Sequence, residues 1–266
     1  MNLIMRSLQL DAEFVRLPLS KREIIDFLIK KYLLIIKNFL FRYKIGKSHI
    51  KIFRHNYYYY DKFGIAFLES VIVENRYLAS YIKPNTQVVD VGAHVGEFNI
   101  FCKKILKTDK IISIEPIRES YVLLQKNTSQ KTFNYAISTK KVVTMYTPDT
   151  TIMSSSLKGN IYQAKEKCHG VYLDNLEEIQ KLKNIDLLKI DVEGGEYDVL
   201  RTAKETLKKT KYLFVEVSIQ RLSTGDLFDV LRIIKNSCPK SEIRHIGKPF
   251  IISGNPICVD MLIKCS

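Results

Sequence analysis

With 266 residues, 46% of them apolar, the chain can bury one sizeable core, and one main domain with an appendage fits better than two equal domains. Formal charge is +14, from 42 basic and 28 acidic residues, and residues 1–60 hold 12 Lys and Arg against 4 Asp and Glu, so basic character gathers in the N-terminal arm. Five cysteines (Cys102, Cys168, Cys238, Cys258, Cys265) form no Cys-x-x-Cys and have no matching His pair, which argues against a zinc site or a disulfide framework and for a reducing cytoplasm.

In chain order, the first 20 residues do not read as a secretory signal, because Arg6, Asp11, Glu13 and Arg16 interrupt any apolar run. Ser20 and Glu23 have capping-box spacing, so a helix is predicted to start near Lys21 and continue to Lys44. At about 100° per residue, Ile24, Ile25, Leu28, Ile29, Tyr32, Leu33, Ile35, Ile36, Phe39 and Leu40 fill one broad face, while Glu23, Asp26, Lys30, Lys31, Lys37, Asn38 and Arg42 collect on the other. Phe27, Leu34 and Phe41 make a second apolar line at heptad spacing inside the polar side. Lys30, Lys31 and Lys37 argue against a membrane-spanning helix. Two readings stand: peripheral contact with an anionic membrane face through residues 21–44, or packing on the protein itself or on a partner subunit.

Strand character begins at Ile50. Lys51-Ile52-Phe53-Arg54 alternates, Tyr57 to Tyr60 is β-prone, and Asp61-Lys62-Phe63-Gly64 reads as a turn into Ile65 to Leu68, which predicts a hairpin. Alternation puts two of the four tyrosines on each face, so at most two reach a ligand. Glu69 to Ile82 is predicted as a helix stopped by Pro84.

Gln87 to Gly96 (Gln-Val-Val-Asp-Val-Gly-Ala-His-Val-Gly) is a short buried strand followed by a Gly-bounded turn, and the run after Glu97 is a helix. Asp90 stands at the strand end, and Gly92 and Gly96 bracket a turn where a Cβ would obstruct a ligand. His94 occupies the middle of the turn and tolerates positive φ. A dinucleotide fingerprint needs Gly where His94 and Glu97 stand, and a carboxylate at the helix start repels a pyrophosphate, so NAD and FAD are disfavoured. A P-loop fails as well, since no Gly-Lys-Ser or Gly-Lys-Thr follows. S-adenosylmethionine, which lacks phosphate and carries a small zwitterionic end, suits the loop. The alternative is an ordinary strand-turn-helix of any α/β protein.

Beyond the turn, strand and helix alternate. Lys110 to Glu115 is a buried strand ending in an acid 23 positions after Gly92, about where α/β nucleotide sites hold both ribose hydroxyls, and Pro116 and a helix over Arg118–Asn127 follow. Phe133 to Ile137 is the expected third strand, with Ala136 a candidate cofactor contact, and Val142 to Tyr146 a fourth, antiparallel to it. Pro148 to Gly170 reads as a polar loop centred on Ser154, Ser155 and Ser156, long enough for an active-site lid. An apolar strand then ends at Asp191, and Glu193, Gly194 and Gly195 turn into a helix carrying Glu196 and Leu200. In an open parallel sheet this sets Asp191 and Glu193 beside Asp90 and Glu115, a costly set of acids unless a cation joins them. Lys211 to Val217 is a further strand with Glu216 at the same edge, Gly225 to Ile234 a helix, and Ile257 to Ile263 a last strand.

Asp90-Val-Gly-Ala-His-Val-Gly, Glu115-Pro, Tyr172-Leu-Asp174 and Lys189-Ile-Asp-Val-Glu-Gly-Gly-Glu196 with Val199-Leu200 together resemble the FkbM family of methyltransferases, over roughly Val88 to Val217. The resemblance implies an α/β class I methyltransferase (Rossmann-like) fold, doubly wound on a mostly parallel seven-stranded sheet with its last strand antiparallel. It also implies S-adenosylmethionine as cofactor and, commonly, O-methylation of a sugar or polyketide hydroxyl. Where the family usually has Asn, this chain has His94. The organisation expected is a basic helical arm over 1–48 and a methyltransferase domain over 49–266, divided into hairpin and helix (49–83) and core (84–266).

The expected cofactor site is Asp90, Gly92, Ala93, His94, Gly96, Glu115, Pro116, Ala136 and Asp191, without metal. Asp191 or Glu193 is the candidate to take the proton of an alcohol nucleophile, with Asp191 alternatively holding the cofactor amino group, and Glu193 and Glu196 alternatively serving the helix start. The acceptor expected is a carbohydrate or glycolipid hydroxyl. Nucleic acid is disfavoured, since the charge lies in an apolar helix and no Asn/Asp-Pro-Pro-Tyr motif is present. Oligomerisation is left open, as is a non-enzymatic, membrane-associated scaffold, and the expected location is cytoplasmic.

Overall fold

The computed structural model describes residues 3–41, 48–59, 64–147, 163–219, 225–252 and 255–266. The chain divides into two compact units, residues 1–85 with 95–109 and 122–129, and residues 86–94 with 110–121 and 130–266.

The first unit holds helices α1 (Leu3–Phe14), α2 (Lys21–Phe41), α3 (Gly64–Glu74) and α4 (Glu97–Phe101), and a hairpin of strands β1 (Ser48–Ile52) and β2 (His55–Tyr59). Helix α2 starts where its capping box predicts. The Ser20 backbone N–H donates to Glu23 Oε2 at 3.1 Å, and the Glu23 N–H donates to Ser20 Oγ at 3.3 Å.

The face that α2 buries is not the broad aliphatic one. Ile24, Phe27 and Lys31 are its buried residues, whereas Ile25, Ile29, Leu33, Ile35 and Ile36 are exposed. The narrow line containing Phe27 wins because Phe27 stacks on Phe14 (centroids 4.3 Å apart) and faces Phe53 at 5.7 Å. Lys31, expected on the solvent side, is buried with its ammonium 2.7 Å from both Asp11 Oδ1 and Glu69 Oε2. Three helices are fastened by that one cation.

The hairpin also differs from expectation. Tyr57–Tyr59 pairs backward with Ser48–Ile50 through a tight turn at Phe53 and Arg54, both at positive φ, and Ile65–Leu68 starts α3 instead of forming a strand. Neither turn residue is a usual positive-φ type, so no hairpin signal stands at that point of the chain. Alternation along β2 holds: Tyr57 and Tyr59 are buried and stacked, and Tyr58 faces outward over His49. Tyr57 donates its hydroxyl to the buried Glu97 at 2.9 Å. Tyr60 lies outside the described residues.

The second unit is built on β3 (Val88–Val91), β4 (Ile111–Ile114), β5 (Lys131–Phe133), β9 (Ile185–Ile190), β10 (Thr210–Ser218), β11 (Glu242–Ile246), β12 (Phe250–Ile252) and β13 (Asn255–Lys264). Their order is β11-β13-β10-β9-β3-β4-β5, with β12 paired to β13. The pairs from β10 to β5 are parallel, and β13 runs antiparallel to both β10 and β11. Seven strands with one reversed is the order the family resemblance implies, and β12 is an addition to it. Val88, Val89, Asp90 and Val91 are all buried, as expected for a central parallel strand covered on both faces.

Helices α5 (Arg118–Asn127), α6 (Glu177–Gln180), α7 (Glu196–Arg201), α8 (Lys204–Lys208) and α9 (Leu227–Ser237) complete the described α-helices. Asp226 and Asp229 form a capping box that starts α9. A separate three-stranded sheet contains β6 (Ala136–Ile137), β7 (Val142–Thr147) and β8 (Gln163–Val171), in the order β6-β8-β7. The predicted pairing of Val142–Tyr146 with Phe133–Ile137 is therefore wrong. The segment from Gln163 to Gly170, expected as loop, supplies the strand between them. The remainder of that loop, with Ser154 to Ser156, lies outside the described residues. No described helix is long and apolar enough to cross a membrane.

Removing Lys31 leaves two acids in a site where the ammonium is 1% exposed. Lys31→Met is expected to cost about 3–5 kcal/mol of unfolding free energy in a urea titration, the range for breaking a buried ion pair. A loss below about 1 kcal/mol would show the pair to behave as a surface one.

Candidate active site

Neighbouring strands on the two sides of β3 connect in opposite directions along the chain, β4 on one side and β9 on the other, so their carboxyl ends bound the crevice where open α/β sheets take ligands. The turn after β3 forms its rim. Gly92 (φ +84°) and Ala93 donate their N–H groups to the Ile114 carbonyl at 3.0 and 3.1 Å. A Cβ on Gly92 would stand 1.7 Å from the Asp191 carbonyl oxygen, so the turn and the end of β9 approach as closely as glycine allows. His94 takes φ +50° and Gly96 φ +99°.

Glu115, just past β4, fastens this turn. Its Oε2 accepts the His94 N–H at 2.9 Å and its Oε1 accepts the Ile117 N–H at 2.8 Å. Burial pushes its carboxyl up to about 7, opposed by His94 and the two backbone donors. Each oxygen keeps a further lone pair for a hydroxyl donor. Gly92, Pro116, Ala136, Val192, Gly195 and Asp198 contribute to one open cleft.

At the end of β9, Lys189 is the centre of charge. Its ammonium lies 3.2 Å from Asp90 Oδ1 and 3.2 Å from Asp191 Oδ2, with Asp90 fully buried and the Asp191 side chain 38% exposed. Burial disfavours the ammonium, but Asp191 and Asp90 outweigh it and hold its proton above the ordinary lysine range. Asp191, Glu193 and Glu216 bring carboxylate oxygens within 4.8 Å of one another, close enough for one cation to bridge them. Burial first, then the Asp191 charge, pushes both Glu193 and Glu216 upward. Glu193 takes positive φ (+52°) in the turn. Glu196 is buried and accepts the Gly194 N–H at 2.7 Å, so it serves the start of α7.

Asp90, Ala93, His94, Glu115, Pro116, Ala136, Asp191 and Glu193 thus all fall in the second unit around this crevice, while Gly96 closes the turn as the N-cap of α4 in the first. Two participants were missed. Lys189 is the cation that the acids require, and its signal was a lysine inside Leu187-Leu188-Lys189-Ile190, where a charge is tolerated only when paired. Asp198 lines the cleft and holds Thr139 through its N–H (3.2 Å) and hydroxyl (2.6 Å), a contact with no sequence signal because it joins β6 to α7. Asp174 of the Tyr172-Leu-Asp174 motif is structural, accepting the Glu205 and Thr206 N–H groups that open α8.

A methyltransferase FkbM domain model matches residues 90–238. Methyltransferase 1 of Beauveria bassiana is 24% identical over 160 residues, 50% of this chain and 64% of that protein. Methyltransferase sdnD of Sordaria araneosa is 25% identical over 191 residues, 57% of this chain and 74% of the relative. The 2-O-methyltransferase NoeI of Sinorhizobium fredii is 44% identical over 62 residues, 23% of this chain and 25% of its own. Among solved structures, methyltransferase FkbM from Methylobacillus flagellatus covers 76% of this chain and 55% of its own at 16% identity and a TM-score of 0.45. The chain thus spans less than two thirds of several proteins it resembles.

The raised carboxyls have a consequence for stability. Glu115 and Glu196 keep their protons in the folded chain to about 7, where the unfolded chain releases them near 4.5. The folded state then binds more protons in this window, so their contribution is fully present below pH 4.5 and lost as pH rises toward 7. Glu69 adds the same sign, and His55, lowered by burial, opposes it. Urea titrations of the unliganded chain across this window are expected to show stability falling; a steady rise would mean that these carboxyls are ionised when folded.

Proposed function

The chain belongs to the FkbM family of methyltransferases, and we propose that it methylates a hydroxyl of a sugar, glycan or related small molecule. The methyl donor is S-adenosylmethionine. The observation that carries the reading is the convergence of Asp191, Glu193 and Glu216 beside the Asp90-Lys189-Asp191 ion set at the carboxyl ends of β9 and β10. Four carboxylates with one ammonium form a donor set that fits a ligand of net positive charge. When bound, that ligand supplies an electrophilic methyl group on a sulfonium.

In this reading Asp90 and Asp191, oriented by Lys189, hold the ammonium end of the donor, and Glu115 accepts ribose hydroxyls on its remaining lone pairs. Gly92, Ala93, His94 and Gly96 form the turn against which the donor lies, and Pro116 and Ala136 offer the apolar wall of the cleft. Glu193 takes the proton of the acceptor hydroxyl. Glu193 is chosen over Asp191 because Asp191 is engaged by Lys189; burial, then the Asp191 charge, pushes the Glu193 carboxyl up to about 8 in the unliganded chain, and the positive charge of the bound donor favours its ionised form, in which it takes the proton. Positioning of the acceptor oxygen supplies much of the remaining acceleration.

A hydroxyl acceptor is supported by this acidic rim, which repels the phosphates of nucleic acid despite the +14 charge of the whole chain. The name 2-O-methyltransferase carried by NoeI points the same way over its short match.

Glu193→Gln is expected to lower kcat by about 100-fold or more with little change in cofactor affinity, the usual worth of a positioned general base. Glu115→Ala is expected to weaken S-adenosylmethionine binding by about 1.5–3 kcal/mol in calorimetry, as for hydrogen bonds to a charged group. Methyl transfer to sugars that is indifferent to Glu193→Gln would remove the base assignment, and unchanged cofactor affinity in Glu115→Ala would remove Glu115 from the site.

A further inference from the structure

Helix α2 leaves a stripe of aliphatic side chains in the open. Ile25, Ile29, Leu33 and Ile36 are each more than half exposed, with Tyr32 and Ile35 exposed beside them. At about 100° per residue, Ile25, Ile29, Tyr32 and Ile36 share one line on the side opposite the buried Ile24, Phe27 and Lys31. Helix α1 runs antiparallel to α2, since Phe14 stacks on Phe27 while Asp11, a turn earlier, meets Lys31, a turn later. On α1, Leu8 and Met5 are more than half exposed as well. Single exposed leucines are ordinary, but a continuous stripe over three helical turns marks an interaction surface.

The chemistry of its occupant follows from charge. Residues 1–60 carry 12 Lys and Arg against 4 Asp and Glu. All four acids are already matched, Asp11 by Lys31, Glu13 by Arg16 and Arg76, Glu23 by Lys104, and Asp26 by Lys30. The field around the stripe is therefore positive. Lys21 and Arg22 are exposed at the start of α2, and Arg42, Lys44 and Lys47 follow it in sequence. A second copy of the chain would bring the same excess of positive charge against its own, whereas anionic lipid is complementary to it.

We propose that this face of α2, with Leu8 and Met5 of α1, seats on an anionic lipid surface, its aliphatic side chains entering the interface and its cations meeting the headgroups. The helix lies along the surface and does not cross it, because Asp26, Lys30 and Lys31 interrupt its apolar run. The proposal is independent of the methyl-transfer reading.

Flotation of the full chain with phosphatidylcholine vesicles, with and without phosphatidylglycerol, tests it. Partition into the anionic vesicles is expected to exceed that into neutral ones by about tenfold or more, and to weaken as salt is added. The double variant Ile29→Glu, Leu33→Glu is expected to lose this partition by about tenfold or more while keeping the wild-type melting temperature, because both side chains are exposed. Lys21→Glu with Arg22→Glu should reduce it in the same direction. Absence of binding, equal binding to both vesicle types, or wild-type binding by the Ile29→Glu, Leu33→Glu variant would overturn the proposal. A dimer in light scattering that this double variant converts to monomer would assign the face to a second copy and overturn it as well.

Discussion

The arrangement of the crevice depends on one buried ammonium. Lys189 lies on β9 in register with Asp90 on β3 and Phe214 on β10, so the parallel pairing itself sets its height in the sheet. Without a cation there, Asp90 would lose the ammonium that faces it in a fully buried position, and Asp191 would lose its share of the same charge. With it, two aspartates occupy the ends of two adjacent strands on either side of one ammonium. The glycine turn can then close against the Asp191 carbonyl, since the strand ends are drawn together and not driven apart.

That pairing sorts the acids of the site into two kinds. Asp90 and Asp191 share Lys189, while Glu193 and Glu216 crowd the same space without an equal claim on it, and their proton affinity rises with burial and with the Asp191 charge. Glu115 is raised by burial too, against the turn that it fastens. An acid held by a neighbouring ammonium orients a cationic ligand, and one whose proton affinity is raised is the stronger base once a ligand's positive charge has ionised it. The local chemistry for both jobs comes from where strand ends fall, with no change of residue type.

How much of this was legible in the sequence depended on how far each interaction reached along the chain. The buried strands around Asp90, Ser113 and Lys189 announced themselves as apolar runs, and the spacing from Gly92 to Glu115 and the Asp191-Val-Glu193-Gly194 turn located the crevice. The small sheet is not legible because β8 (Gln-Ala-Lys-Glu-Lys-Cys-His-Gly-Val) carries three consecutive charges, Lys165 to Lys167, and little apolar character, which leaves its two partners to be paired with each other. The exposed strand β11 was missed for the same reason. In α2, periodicity found the amphipathic pattern but not which side is covered: the broad aliphatic face outweighs the Phe27 line in any summed measure, yet a single aromatic stack and one ion triad decide the packing.

The two units use the same device for opposite ends. In the first, Lys31 joins Asp11 and Glu69, with the ammonium 1% exposed and the acids 14% and 0% exposed. In the second, Lys189 joins Asp90 and Asp191, with exposures of 8%, 0% and 38%. The first set is closed: its charges are consumed in fastening α1, α2 and α3, and little is left to act on a ligand. The second is open on one arm, and Glu193 and Glu216 converge on that arm. A buried lysine between two acids is therefore not a mark of a functional site in itself. What separates a strut from a site is whether one partner reaches solvent while the other anchors it, because only then can a ligand's charge substitute into the set without the fold first coming apart.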